Sequence, residues 1–152
     1  MLNPSFNKGI KGIIQKLAYP MYIVIRQPEL KCTCVDQHEI ADPDCPKCLG
    51  TGRKIRIRKV KGVLEPEDVS TGLNNKQQKV GSNRYYFDAD DVTNDMMQQN
   101  NLIVREDEVD ILQNPKKYRS DSNKVIYYHC EAAFKKLNRG TFLKNFRKLV
   151  GK

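Results

Sequence analysis

The sequence predicts a mainly β fold: a small antiparallel β-barrel or sandwich with an inserted zinc-binding β-hairpin and terminal amphipathic helices or arms. Three observations predict it. Short apolar runs of strand character recur through the second half with turn residues between them. Four of the five cysteines fall within residues 32–48, between two strand-like stretches. Helical rhythm is clearest near the two ends of the chain.

Taken in order, Phe6, Ile10, Ile13, Ile14 and Leu17 recur with the spacing of an amphipathic helix, with Ser5 as a candidate cap. Gly9 and Gly12 weaken that helix in isolation, so it needs a surface to pack on, either its own barrel or another subunit. Tyr19-Pro20 ends it, and Met21–Arg26 reads as a strand leading into the cysteines. Beyond them, Ile55-Arg56-Ile57-Arg58-Lys59-Val60 alternates apolar and basic with period two, as a half-buried strand with one strongly positive face does. The two flanking strands can pair, which gives a compact ribbon projecting from the body. Glu65–Lys79 has loop composition.

Strands are then expected at Arg84–Asp88, Leu102–Arg105, Val109–Leu112 and Lys124–Phe134. Asn100-Asn101, Asn114-Pro115 and Ser120–Asn123 supply the turns between them, and Ala89–Gln99, with Val92, Met96 and Met97, reads as a short helix. Thr141–Val150 reads as a basic amphipathic helix or arm that orders by docking on a partner. The resulting division is an N-terminal arm over 1–19, a zinc-knuckle hairpin over 20–63, a barrel over 64–138 that includes a 64–83 loop, and a basic arm over 139–152.

The cysteines stand as Cys32-Thr33-Cys34 and Cys45-Pro46-Lys47-Cys48, ten residues apart, followed by Leu49-Gly50-Thr51-Gly52. A structural zinc ion takes four soft ligands in a tetrahedron, and two close pairs on facing turns supply them. Cys32, Cys34, Cys45 and Cys48 are therefore the candidate ligands, with iron in the same cage as the other metal that suits them. Disulfides are disfavoured without a secretory signal. Redox chemistry at Cys45 and Cys48 explains the second pair but not the first. A filled tetrahedron leaves no open position for catalysis. His38, in a polar stretch, is read as exposed, and Cys130, in an apolar strand pattern, as a buried core residue whose neighbour His129 faces the other way.

The 152 residues carry 27 Lys and Arg against 18 Asp and Glu, a net charge of +9 that favours acidic partners. Six bases crowd into Arg53–Lys61 (Arg53, Lys54, Arg56, Arg58, Lys59 and Lys61) and are the candidate DNA-facing residues. Asp88–Asp110 holds eight acids, and beyond Glu131 there are seven bases and no acid. Separate patches of opposite sign suit head-to-tail stacking on copies of the same chain. No phosphate-binding glycine loop, dinucleotide fingerprint or zinc-protease motif is present, and the serines lack a credible histidine partner, so an enzyme is not expected. No run approaches the ~18–20 apolar residues of a membrane span, and a soluble protein made in the cytoplasm is the expectation.

Two resemblances add to this. Cys45–Gly52 resembles one half-site of the C-x-x-C-x-G-x-G repeat in the cysteine-rich region of J-domain co-chaperones. It covers eight residues without the J-domain His-Pro-Asp signature, and so implies a zinc knuckle and not a co-chaperone. More broadly, residues 20–135 resemble the head-completion or connector proteins in the neck of tailed bacteriophages. The likeness runs from Met21–Arg26 into Lys31–Cys34 and Asp42–Gly52, through the alternating basic strand, to Asn101–Ile111 and Val125–Glu131. It implies a virion structural protein in a ring of its own copies beneath the portal, with portal or adaptor and tail proteins as neighbours and DNA passing close by. The alternative from the residues alone is a zinc-ribbon nucleic-acid-binding protein that uses the basic strand.

Overall fold

The computed structural model describes residues 4–35, 40–66, 83–120, 122–134 and 139–151. Six antiparallel strands close into a barrel, with a helix near each end of the chain. The elements are α1 (Pro4–Leu17), β1 (Tyr19–Lys31), β2 (Arg53–Pro66), β3 (Asn83–Asp88), β4 (Leu102–Arg105), β5 (Glu108–Arg119), β6 (Val125–Phe134) and α2 (Arg139–Val150). Around the barrel the order is β1-β2-β3-β6-β5-β4, and closure comes from β4 returning to β1 at Leu102–Val104 against Tyr22–Val24. The strands lie where the periodicity predicts them, but β1, β2 and β5 run longer.

Alternation along each strand sorts the side chains. Met21, Ile23 and Ile25 of β1, Val60 of β2, Tyr85 and Phe87 of β3, Ile103 of β4, Leu112 of β5 and Tyr128, Cys130 and Ala132 of β6 fill the interior. Cys130 is fully buried there, as its strand pattern predicts. Gly62 makes room for this core: a Cβ at that position would lie 2.5 Å from the Phe87 ring. The interior also holds a polar group, since the fully buried Asp110 carboxylate accepts hydrogen bonds from Tyr85 Oη (2.5 Å) and Asn83 Nδ2 (3.1 Å), with Arg105 4.0 Å away.

The outer wall is covered on two sides. Ile10 and Ile14 of α1 pack with Val63, Tyr86, Ile126 and Tyr127, while Ile13 and Leu17 of the expected apolar stripe stand exposed. Lys11 Nζ reaches Asp88 (2.6 Å) and Asp90 (3.1 Å), and Gln15 Nε2 donates to Asp88 (2.7 Å), which clamps α1 to the end of β3. On the other side Phe142, Leu143 and Phe146 of α2 pack over Val24, Leu102, Val104 and Val109. The C-terminal arm therefore docks on its own barrel.

Several expectations need correction. The boundary expected at 63/64 falls inside β2, and both strands of the expected 20–63 hairpin are staves of the barrel, so the metal hairpin is the far end of a barrel ribbon and not a separate unit. Residues 89–99 form successive turns, not a helix. Val92 and Met97 both enter the core, yet five residues apart they would point about 140° apart on a helix. Asn101 holds the turns in place, giving Nδ2 to the carbonyls of Asp95 and Met96 and accepting the Arg26 N–H at Oδ1. Asn114-Pro115 is not a hairpin turn. It is an irregularity within β5, with Asn114 at φ +50°, and a bulge is one of the few places in a sheet that tolerates proline. Most of the predicted 65–79 loop, and His38, lie outside the described residues.

Candidate metal centre

The centre forms where β1 and β2 leave the barrel and the chain folds back on itself between them. The Cys32 N–H bonds to the Gly52 carbonyl (3.0 Å), closing the base of the loop. Each cysteine pair then sits on a tight turn: Val35 N–H to Cys32 O (3.1 Å) on one side, Leu49 N–H to Cys45 O (3.0 Å) and Thr51 N–H to Cys48 O (3.1 Å) on the other. Leu49, Gly50 and Gly52 all adopt positive φ (54°, 83° and 76°), which turns the chain beneath the last thiol.

The four Sγ atoms of Cys32, Cys34, Cys45 and Cys48 lie within 4.8 Å of one another, and two contacts link the pairs: Cys32 to Cys45 at 3.7 Å and Cys34 to Cys48 at 3.5 Å. Four thiolates around one ion at about 2.3 Å stand roughly 3.8 Å apart in a regular tetrahedron, so the cluster has the dimensions of a metal cage. The N–H groups of Lys47 and Gly52 point at the sulfurs of Cys45 and Cys48, each at 3.4 Å. Such donors stabilise thiolate charge and orient ligands. All four cysteines are free thiols, and Cys32, Cys45 and Cys48 are buried. The cluster can hold a metal ion with four protein ligands and no vacant position.

The thiols are electrostatically unequal. Burial raises the Cys48 thiol to about 12, and it raises Cys34 as well. At Cys32 burial also pushes upward, but hydrogen bonds from the Cys34 backbone and from the side chains of Cys34, Cys45 and Cys48 outweigh it and bring the thiol to about 7. A redox C-x-x-C motif presents an accessible low-pKa thiol, whereas Cys45 and Cys48 are 4% and 0% exposed and each contacts a sulfur of the other pair. Outside the cage, Leu49 is 2% exposed and joins the cluster that seats α2, while Asn145 of α2 donates to the Asp44 carbonyl at 3.2 Å. The cage and α2 thus share a contact that local spacing does not reveal.

The six bases of 53–61 do not make one positive face. Ile55 and Ile57 pack toward α2, so alternation puts Arg53, Lys59 and Lys61 on the outer side of β2 and Lys54, Arg56 and Arg58 on the other. Arg56 is tied to Asp95 at 2.9 Å. Together with Lys11 on Asp88 and Asp90, this pair brings part of the acidic stretch onto bases of the same chain. Among the described residues no helix is long and apolar enough to cross a membrane. No protein-family model and no curated protein matches the chain.

Proposed function

We propose that the protein is a non-catalytic structural component of a tailed-bacteriophage virion, part of the head-tail connector ring beneath the portal, with zinc as its structural metal. One observation carries the reading: a four-thiol cage at the end of a two-stranded ribbon, continuous with a filled six-stranded barrel. Each feature serves rigidity, and the cage leaves no coordination position for a substrate. The order of strand, C-x-C, C-x-x-C-x-G-x-G, basic strand and barrel supports the neck assignment through the resemblance given above. Zinc is favoured over iron because a closed structural cage needs no redox activity from its ion.

A ring subunit needs surfaces that meet its neighbours. The acids at 88–95 are partly matched within the chain, so the exposed Glu106 and Asp107 of the β4–β5 turn are the acidic patch left for a basic surface of another copy or of portal or tail proteins. Native mass spectrometry without chelator, at two salt concentrations and with and without a portal protein, tests this. One zinc per chain, with ring-sized oligomers or with monomers that assemble on the portal, is the expected result. A zinc-bound monomer indifferent to the portal overturns the neck reading, and a metal-free protein overturns the zinc assignment.

A further inference from the structure

We infer that α2 and the outer side of β2 together form a binding surface for the phosphate backbone of double-stranded nucleic acid. The fold brings together two basic stretches that lie some eighty residues apart in sequence. On β2, Lys59 and Lys61 continue the outer row begun by Ile55 and Ile57, which pack toward α2, whereas Val60 points into the barrel. Lys59 stands opposite Tyr22 of β1 in the strand register, and the Tyr22 ring meets Phe146 of α2 edge-on with centroids 5.4 Å apart. The lysines of β2 therefore emerge beside α2. On α2, Phe142, Leu143 and Phe146 are buried against the barrel, and Lys144, Arg147 and Lys148 are exposed on the side turned away from it.

Five cations thus share one side of the molecule. α2 contains no acid, and the hollow beside Lys59 and Lys61 has a single carboxylate in its lining, Asp91. Asp44 stands at the metal-loop side of α2, where its carbonyl takes Asn145. The chemistry of the patch selects the ligand. A single strand is gripped by exposed aromatic rings on which bases stack, and here the ring opposite Lys59, Tyr22, is half-buried under Phe146, while the exposed Tyr19 stands opposite Gly62 and so on the other face of the ribbon from Lys61. A stable protein interface has a desolvated apolar centre, and here the exposed apolar side chain of α2, Leu149, lies at the margin of the cations. Cations fixed on a rigid helix and strand, with neither rings nor an apolar centre, suit the regular phosphates of a duplex without base readout.

The test is fluorescence anisotropy of a labelled mixed-sequence DNA duplex, and of its single strand, titrated with the full chain over a range of salt. Lys59→Glu with Lys61→Glu, and separately Lys144→Glu with Lys148→Glu, should each weaken duplex binding at least about tenfold and lower the salt slope by about 2. Lys54→Glu with Arg58→Glu makes the same charge change on the opposite side of β2, and should leave the slope as it is in the unmodified chain. Equal losses in all three pairs would reduce the effect to net charge and overturn the surface. No salt-dependent duplex binding by the unmodified chain, or tighter binding of the single strand, would overturn it as well. Metal content and oligomeric state do not enter these readings, so the outcome is independent of the neck assignment.

Discussion

Gly50 holds φ at +83°, and a Cβ there would stand 2.9 Å from the Pro43 carbonyl oxygen. Gly50→Ala therefore meets both a left-handed backbone and a main-chain clash, for about 1–3 kcal/mol, all of it local to the loop that carries the thiols. The expected result is metal affinity weakened by tenfold or more in chelator competition, with the barrel's far-UV spectrum unchanged. Asp110 makes the opposite case, a side chain essential to the barrel and remote from the metal. Asp110→Ala removes the acceptor of Tyr85 and Asn83 and leaves Arg105 without its buried counter-charge, for about 3 kcal/mol; a urea midpoint unchanged from the parent would refute that role. The four-thiol cluster was legible because metal spacing is local. Asp110 was not, because it reads as one of eight acids, although its setting between Val109 and Ile111-Leu112 was the available signal of an inward carboxylate.

Elements were legible as strands whether one face is wet or both are covered, and misread where turns carry the chain, as at 89–99. Met21–Ile25 and Leu102–Val104 are unbroken apolar runs, and the structure gives the reason: their inner residues fill the barrel while Val24, Leu102 and Val104 meet α2. Those runs implied a cover for the outer wall, which α2 supplies. Because Leu49 of the metal loop lies in the same cluster, Leu49→Ala should loosen α2 without touching a ligand. A cost of about 2–5 kcal/mol at that contact would appear as faster amide exchange across 141–150 with metal content retained. The seat of α1 adds charge to an apolar contact. Burial raises the Asp88 carboxyl, but the Asp90 N–H, Lys11 and Gln15 more than offset this and hold it below the usual carboxylate range. A depressed folded pKa gives stability that is present above the unfolded value of about 3.9 and is lost as pH falls through the lower folded value. Amide exchange in α1 should therefore accelerate, relative to the barrel strands, as the solution is acidified below about pH 4, and Asp88→Asn should abolish that relative change.

At the scale of the whole molecule, the barrel and the cage share two strands but close independently. The ladders that complete the ring join β1 to β2 from 19/62 to 31/53, β1 to β4 at 22–24, β2 to β3 at 63–66, β3 to β6 at 83–88 and β5 to both neighbours, and none uses residues 32–52. An antiparallel barrel or sandwich was legible from strand spacing, and the structure decides for the closed barrel. That the metal hairpin grows out of two of its staves was not legible, because pairing partners in a barrel are fixed by long-range closure and not by neighbouring sequence. A bound ion stabilises the cooperative unit to which its ligands belong, relative to states that cannot bind it. Chelation, or Cys45→Ser, should thus release the segment around 31–54 and, through Leu49, relax α2, while exchange protection at Ile23, Ile103, Tyr128 and Cys130 stays at the level of the metal-loaded protein. The measurement is site-resolved hydrogen exchange before and after metal removal, with metal analysis on the same samples. If protection at Ile23 and Cys130 collapses together with the loop, the cage is a keystone of the barrel and the two parts are one cooperative unit. If it survives, the ion is a staple on one end of an already closed fold, which is what the placement of the six ladders requires.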